Sequence, residues 1–415
     1  MSRDATDGST RRRFLRTGVG VGLAGLFAGC SSGNDAGSNG SNETGGGAGP
    51  SSATAGSGGS TAGGSTDGAT NQGGATENGG TTTGESYSVS MAPVGSVTFD
   101  SVPQTWVPFT GDYADMGVAL GQSDGLSAIG VAARYGAFYY DDLPGVSVDT
   151  SSLTELYQGD SVGKEVFYEL DADVHVVDPN FMVNRLSWSQ GDVTEITNQV
   201  APFFGNTTFT QVYDWHDYRY YTMEELLGKL GAVFDQRGRA EAFTAVLDDV
   251  HSTVESDLPN QTPSIALLYP ADVPPESFYP YLVGEGTTSK QWRTLGVEDA
   301  LAANDVADAQ AGGSAIDFET LLEVDPDVLA VRLQGEITDQ YFQENIVTPL
   351  ENHEVASQLS AVQNGRVIYA GLTYQGPIIY LHQLERAAQG VYPDAFGGSQ
   401  LFDRQRVANI VTGDG

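Results

Sequence analysis

The sequence predicts an α/β protein of two lobes joined by a single long helix, and three observations support this. Short apolar runs of strand length alternate with helical patterns over residues 87–221, and again over residues 259–415. The residues between them, 222–258, are helical in pattern throughout. One helix–turn–strand segment also occurs once in each half. Strands that alternate with helices form parallel sheets, so we expect two Rossmann-like lobes with mainly parallel sheets.

The first half contains the clearest alternation. "SVTFD" is predicted to be a strand, "DYADMGVALG" a helix and "SAIGVA" a second strand. "KEVFYEL" is then a helix, and "DVHVVD" is a strand that ends before Pro179. In such an arrangement ligands bind beyond the carboxyl ends of the strands.

The connecting segment begins with a capping box, in which Thr222 is followed by Glu225. Apolar residues then recur on one helical face as far as Val250. About 35 helical residues would span roughly 50 Å and act as a strut between the lobes.

The second half repeats the order of the first. "SIALLYP" is predicted to be a strand, "SKQWRTLGVEDALA" and "DFETLLEV" helices, and "DVLAV" and "GRVIYA" strands before a closing helix, "PIIYLHQLERAAQGVY". The segment "FETLLEVDPDVLAV" has the layout of "KEVFYELDADVHVV" in the first half. Each begins with a glutamate, Glu319 or Glu165, and ends in a valine-rich strand.

The composition separates a folded part from an unfolded one and limits the partners. Residues 31–86 are almost wholly Gly, Ser, Thr, Asn and Ala, which predicts a disordered linker. The chain carries 54 acidic residues against 19 Lys and Arg, a net charge of −35. This excludes nucleic acid as a partner, because phosphate binding needs a basic surface. Acids spread along the chain favour a surface adapted to high salt.

The amino terminus has the pattern of an export signal over residues 1–30. Arg11 and Arg12 begin a twin-arginine pattern, and an apolar stretch too short to span a membrane follows. It ends in "FAGC", which resembles a lipobox, so we expect cleavage before Cys30 and a lipid on its thiol. Cys30 is the only cysteine, so no intramolecular disulfide can form.

These features together resemble the substrate-binding proteins of ABC importers, and most closely the group for iron–siderophore, haem and cobalamin uptake. In that group each lobe carries an "E…L…PD-V" segment, which Glu165–Val174 and Glu319–Val328 match. Ala172 replaces the usual proline in the first. The end "NGRVIYAGLTYQGPIIYLHQLERAAQGVYPDAF" is similar to the close of that family, and the resemblance covers about residues 90–405.

The resemblance implies a binding function without catalysis and without a resident cofactor. A ferric siderophore-type chelate is the first expectation for the ligand, and cobalamin and haem are the alternatives. Glu165 and Glu319 are implied to dock onto arginines of the permease, which works with its ATPase. The protein is expected to be a monomer that a lipid on Cys30 holds at the extracellular face of the cell membrane.

The predicted cleft is lined by aromatic residues and arginines in the loops that follow strands. Aromatic rings offer rigid apolar faces to a chelate, and guanidinium groups pair with anionic oxygens. Arg134, Arg185 and Arg332 are the strongest candidates, since arginine is scarce in this chain. The full set of candidate ligand-binding residues is Trp106, Arg134, Tyr135, Tyr140, Arg185, Trp188, Tyr269, Tyr281, Trp292, Arg332 and Tyr374.

Three other functions are weaker interpretations. Gly121–Gly125 matches the G-x-S-x-G motif of serine hydrolases, but a helix precedes Ser123 where the motif needs a strand. Direct metal binding would need clustered histidines, and the five here are scattered, with His216 flanked only by Asp214 and Asp217. A surface adhesin would fit the linker but not the repeated two-lobe pattern. We therefore expect no metal site.

Overall fold

The first half folds around a parallel sheet of very short strands. The computed structural model describes residues 86–159 and 161–414, so the predictions for the signal, Cys30 and nearly all of the linker lie outside the described residues. The elements of this half are β1 (Tyr87–Met91), β2 (Gly95–Phe99), β3 (Trp106–Pro108), α1 (Gly111–Ala119), β4 (Ala128–Ile129), β5 (Thr154–Glu155), α2 (Glu165–Leu170), β6 (Val174–Val176), α3 (Pro179–Arg185) and α4 (Gln190–Gln199).

In this sheet β3 pairs in parallel with β6, and β4 pairs in parallel with β5. A bridge between Trp106 and Leu126 joins the two pairs. The predicted strand "SVTFD" overlaps β2, but β2 forms an antiparallel hairpin with β1 outside the parallel sheet. Gly95 makes the reversal possible because its φ of 79° is a conformation that other residues rarely adopt.

The connecting segment is two helices, which corrects the predicted single long helix. The helix α5 (Met223–Val233) starts at the predicted capping box, and α6 (Arg237–Asp257) follows it. Between them Asp235 has a φ of 53°, which no α-helix contains. The helices then pack closely, since a Cβ added to Gly231 would lie 2.9 Å from the Cβ of Ala240. The segment is therefore a bent pair of helices.

The second half begins with the longest strand of the structure and ends in helices. Its elements are β7 (Ser264–Pro270), β8 (Phe278–Tyr281), α7 (Lys290–Thr294), β9 (Glu298–Asp299), α8 (Ala300–Ala303), α9 (Phe318–Val324), β10 (Val328–Val331), α10 (Asp339–Phe342), α11 (Thr348–Asn352), α12 (Ser360–Gln363), β11 (Val367–Tyr369), α13 (Pro377–Val391), α14 (Pro393–Phe396) and α15 (Arg404–Thr412). The predicted helix "SKQWRTLGVEDALA" is interrupted at Gly296, whose φ is 64°.

The sheet of the second half is mixed, with a parallel centre. Its order is β11-β10-β7-β8, and β9 pairs with the beginning of β7. The contacts of β10 with β7 and with β11 are parallel, whereas β8 lies antiparallel to β7. The carboxyl ends of β7, β10 and β11 therefore lie at one edge of this sheet, where a ligand site is expected.

The two repeated segments adopt the same local structure. In the first, α2 ends at Asp171 and β6 follows, and in the second, α9 ends at Asp325 and β10 follows. Both aspartates take the left-handed conformation, with φ of 44° and 40°. Asp and Asn tolerate that conformation better than other residues with side chains. The acidic turn of each segment thus ends its helix.

A second aspartate fixes each repeated segment to the first strand of its sheet. The carboxylate of Asp173 accepts hydrogen bonds from the backbone N–H groups of Gln104 and Thr105, just before β3. Asp327 accepts in the same way from the backbone N–H and hydroxyl of Ser264, where β7 begins. The repeat is one structural unit used once in each half.

One hydrophobic core extends across both halves. It joins α1, the two connecting helices, one face of the second sheet and the helices α7, α13 and α15, with members such as Trp106, Leu227, Phe243, Trp292 and Leu381. Two further cores cover the other faces of the sheets. The residues from Ser86 onward accordingly form one compact unit. Within the described residues, no helix combines the length and apolarity that crossing a bilayer requires.

Candidate functional site

The loops that follow the strands of the two halves meet along one seam. The backbone N–H of Thr287 donates to the carbonyl of Thr208 at 3.0 Å, and the Thr288 hydroxyl donates to the carbonyl of Phe209 at 2.9 Å. A third bond, 2.9 Å long, runs from the N–H of Gly335 to the carbonyl of Ala133. We call the loops that contain Ala133, Thr208–Phe209, Thr287–Thr288 and Gly335, together with the side chains between them, the seam.

Arg332 lies in the seam directly after β10, and only 1% of its surface is exposed. Its Nη2 donates to the carbonyl of Thr288, and its guanidinium carbon lies 5.5 Å from the ring centre of Tyr281. Burial lowers the pKa of Arg332 to about 10, so it stays charged at neutral pH. No carboxylate of the described residues lies within 4.0 Å of its nitrogens. Arg332 is thus a buried cation without a direct counter-ion.

Asp308 is the acidic residue whose charge acts on Arg332, and its carboxylate already accepts backbone hydrogen bonds. Its carboxylate accepts hydrogen bonds from the N–H groups of Leu282, at 2.8 Å, and Gln310, at 2.6 Å. Burial raises the pKa of Asp308, and the positive charge of Arg332 opposes that rise. Asp308 therefore holds the loops of the second half through these hydrogen bonds, and it makes no ion pair with Arg332 among the described residues.

Tyr281 lies beside Arg332, and Arg134 acts on the same tyrosine. Arg134 acts electrostatically on Tyr269, Tyr281 and Tyr374. Burial raises the pKa of Tyr281 to about 12, while both Arg332 and Arg134 oppose that rise. Of the predicted ligand-binding residues, the structure brings together six, which are Arg134, Arg185, Tyr269, Tyr281, Arg332 and Tyr374.

The seam also contains residues that the sequence analysis missed. Tyr213 lies under Arg185, with 5.1 Å between the guanidinium carbon and the ring centre. Phe209 packs edge-on against Tyr374, with ring centres 5.1 Å apart. Both belong to the segment 201–222, which contains no helix or strand. A long irregular segment that is rich in aromatic residues is a signal for a binding loop.

The three predicted tryptophans are core residues, and the structure does not place them in the seam. Trp106 is part of β3 rather than of the loop after a strand, and its Nε1 donates to the carbonyl of Gln122. Trp188 donates to the carbonyl of Val162 and packs edge-on against Phe167. Trp292 is fully buried in α7. All three rings belong to the hydrophobic cores.

Tyr135 and Tyr140 belong to a buried hydrogen-bond chain. Their hydroxyl oxygens are 3.1 Å apart, and the hydroxyl of Tyr140 donates to Asp115 at 2.9 Å. The other carboxylate oxygen of Asp115 accepts from the N–H groups of Ile378 and Ile379, at the start of α13. This chain connects α1 of the first half to a helix of the second.

Burial makes Asp115 a source of pH-dependent stability. It raises the pKa of Asp115 to about 7, against about 3.9 in an unfolded chain. Between these two pKa values the folded protein binds more protons than the unfolded chain. Its free energy of unfolding therefore falls as pH rises from about 4 to 7, by at most about 1.4 kcal/mol per pH unit. We expect Asp115→Asn to remove this loss, because an amide does not titrate. The fold should persist, because the amide oxygen can still accept hydrogen bonds from α13.

Thermal unfolding measured from pH 4 to 7 checks this expectation. Asp124→Asn is the control, since Asp124 is exposed and its replacement removes the same carboxylate charge. Parallel pH curves for the wild type and the Asp115→Asn variant would contradict the role assigned to Asp115.

Glu165 and Glu319 are exposed and lie in the first turns of α2 and α9. Each helix leads through a tight turn into the next strand, so it runs antiparallel to that strand. The first turns therefore lie toward the carboxyl ends of β6 and β10, on the side of the seam. Neither glutamate has a hydrogen bond or ion pair from its side chain among the described residues.

The rival sites have no suitable geometry in the described residues. Ser123 follows α1 and precedes β4, the reverse of the order that a hydrolase needs. The ring of His216 stacks on Tyr220 with centres 3.7 Å apart, and burial lowers the pKa of His216 to about 4. Across residues 86–159 and 161–414, no group of three or more His, Cys, Asp or Glu side chains could hold a metal ion.

Solved structures resemble this fold closely enough to identify it. A periplasmic binding protein of Veillonella parvula aligns with a TM-score of 0.56 at 16% identity, over 75% of this chain and 99% of that one. The iron-uptake substrate-binding protein of Streptococcus pneumoniae aligns with 0.51 at 16%, over 73% and 98%. The petrobactin-binding protein of Bacillus subtilis aligns with 0.53 at 14%, over 74% and 99%. At such low sequence identities, these alignments show similarity of fold alone.

The sequence itself gives the family. No curated protein sequence matches this chain significantly. Residues 107–372, more than half of the chain, match the family described as periplasmic binding protein. The match begins in β3, ends just after β11 and so includes both repeated segments and the whole seam up to Leu372. The chain therefore belongs to the periplasmic binding protein family, the extracytoplasmic solute-binding proteins of ABC importers.

Proposed function

We propose that this protein captures a ferric siderophore-type chelate in the seam and delivers it to an ABC permease and its ATPase. The observation that carries the proposal is Arg332, a buried cation that forms no ion pair with any residue the structure describes. A buried charge is costly unless it is paired, and an anionic oxygen of a chelate would pair with it. Two of the similar structures are of an iron-uptake protein and a petrobactin-binding protein, which agrees with this ligand class.

The side chains around Arg332 suit the other surfaces of such a ligand. Tyr269, Tyr281, Tyr374 and Tyr213 would supply aromatic faces, on which the flat chelating groups of a siderophore can pack. Arg134 and Arg185 would add positive charge from the first half. Both lobes would then contribute to one site, and the bound chelate would join them.

A haem or cobalamin ligand is the alternative within the same fold. The hydroxyl of Tyr213 is buried without a hydrogen-bond partner in the described residues, and a tyrosine can serve as an axial ligand of haem iron. The arginines would in that case pair with the carboxylates of the macrocycle.

We also propose that the protein works as a lipid-anchored monomer at the extracellular face of the membrane. The twin-arginine pattern would direct export after folding, and the lipid would sit on Cys30. Residues 31–86 would act as a flexible tether with a reach of roughly 40 Å. The net charge of −35 fits a surface that stays hydrated in high salt.

The visible absorption spectrum of protein purified from the cells that produce it tests the ligand class. We expect the charge-transfer band of a ferric chelate, which iron removal abolishes and re-addition restores. A Soret band would favour haem, and corrinoid bands would favour cobalamin, and either would overturn the siderophore proposal. For ligand-free protein, quenching of Trp and Tyr fluorescence by a ferric tris-catecholate complex provides the same test, with the iron-free catechol as the control.

A further inference from the structure

The sequence contains acceptor motifs for N-linked sugars that the binding function does not explain. Four N-x-S/T sequons occur, at Asn39, Asn42, Asn206 and Asn260. The first two lie outside the described residues. The other two lie in different surroundings, and their comparison decides which of them can be modified in the folded protein.

Asn206 is closed to modification by its burial. Only 1% of its surface is exposed, and its side-chain nitrogen donates to the carbonyls of Ala92, at 2.8 Å, and Arg219, at 2.9 Å. The two threonines of its sequon are buried as well. A sugar on this nitrogen would replace one of its two N–H groups, so one of these hydrogen bonds would be lost, and the buried sequon leaves no space for the sugar.

Asn260 has the opposite surroundings. It lies in the irregular connection between α6 and β7, and all three residues of its sequon, Asn260, Gln261 and Thr262, are exposed. In the described part of the chain, no hydrogen bond engages its side-chain amide. Irregular exposed backbone is also the kind that a transferase can draw into its own active site.

The position of Asn260 leaves the seam free. Asn260 precedes β7, whereas Tyr269 and the residues of the seam follow the carboxyl ends of the strands. The seven residues of β7 separate the two ends by about 20 Å. Next to Asn260 is an open groove of about 670 Å³ with a mixed polar and apolar lining that includes Pro259, Arg366, Tyr392 and Asp394. This groove gives room for sugar rings.

We propose that Asn260 is an N-glycosylation site and that Asn206 is not. In the reaction, the amide nitrogen of Asn260 forms a bond to the anomeric carbon of a sugar carried on a lipid phosphate. The carbon–oxygen bond to that phosphate breaks, the lipid phosphate leaves with the electron pair, and the amide proton passes to a base of the transferase. The proposal rests on the extracytoplasmic location of the family and is independent of the ligand.

Mass spectrometry of tryptic peptides from protein made by its natural producing cells tests the proposal. Trypsin cleaves after Lys and Arg, so Asn206 and Asn260 fall on separate peptides, residues 186–219 and 240–290. We expect the second peptide to carry added sugar mass and the first to have its unmodified mass. Thr262→Val should abolish the added mass, and Thr262→Ser, which keeps the sequon, should retain it.

Two results would overturn the proposal. One is an unmodified mass for peptide 240–290 in the natural protein, and the other is sugar on Asn206, since that would remove the argument from burial. Ligand affinity of the Thr262→Val variant should stay within about twofold of the wild type, because the groove lies at the end of the sheet opposite the seam. A tenfold change would need a loss of about 1.4 kcal/mol. The outcome therefore stands or falls separately from the siderophore proposal.

Discussion

Replacing Arg332 with alanine should weaken binding of a ferric siderophore-type chelate at least tenfold. The guanidinium is buried and charged, and it lacks an ion pair in the described structure, so an anionic ligand would gain a charge-assisted hydrogen bond in a site that excludes water. Such bonds contribute about 1.5–3 kcal/mol, and 1.4 kcal/mol corresponds to a factor of ten in affinity. Titration calorimetry with the ferric complex measures the change directly.

Arg366→Ala is the matched control. Arg366 also belongs to the second sheet and also donates its Nη2 to a backbone carbonyl, that of Val391, but it precedes β11 and lies at the opposite end of the strands. Its loss should leave affinity within about twofold. Thermal unfolding of both ligand-free variants separates a lost ligand contact from a damaged fold. Equal affinities for the wild type and the Arg332→Ala variant would show that Arg332 does not bind the ligand, which would contradict the proposed function.

Replacing Glu165 and Glu319 together with alanine should nearly abolish uptake while leaving chelate affinity unchanged. The two side chains are exposed and lie in the first turns of α2 and α9, one on each lobe, as a pair of docking points for permease arginines requires. Uptake of radiolabelled iron by cells or proteoliposomes measures transport, and calorimetry measures affinity. Each single variant should retain part of the transport, because one contact would remain.

The same two helices supply controls for this experiment. Glu169 and Glu323 are exposed glutamates one turn further along α2 and α9, so their double replacement removes the same charge from the same elements. The helices carry these residues away from the edge that would face the permease. Normal transport in the control and lost transport in the Glu165/Glu319 variant would support docking. Lost affinity in the latter would show that the glutamates act on the ligand.

The elements with strong local signals were predictable from the sequence. The capping box at Thr222 and Glu225 starts α5 as expected, and the repeated segments fold as a helix, a turn and a strand in both halves. The closing helix α13 follows its periodic pattern from Pro377 to Val391. These signals depend on neighbours within one or two turns of chain, so tertiary packing did not override them.

The break in the connecting helix was less accessible to sequence analysis. The residues around Asp235 have no proline, and each can occur in a helix at small cost. What decides the break is the packing of α5 against α6 at Gly231 and Ala240, a contact that a straight helix cannot make. That contact is visible only once the chain is folded.

The positions of the candidate arginines were easier to predict than those of the aromatic residues. Arginine is scarce in this chain, and Arg134 and Arg332, which follow predicted strands, lie in the seam, while their role in ligand binding stays a prediction. Trp106 and Trp188 did not, because an aromatic residue near a strand end packs a core as readily as it lines a cleft. Tyr213 was missed because its segment has no regular structure from which a direction could be inferred.

The hydrophobic core that α1, the connecting helices and α13 share has a consequence for how this protein can be divided. The chain has the sequence organisation of two domains, yet part of the apolar surface of each half is covered by residues of the other. A fragment cut at the connecting helices would expose that surface to water and would aggregate or remain unfolded. We therefore expect the two lobes to unfold together as one cooperative unit, and neither to fold when transplanted into another chain.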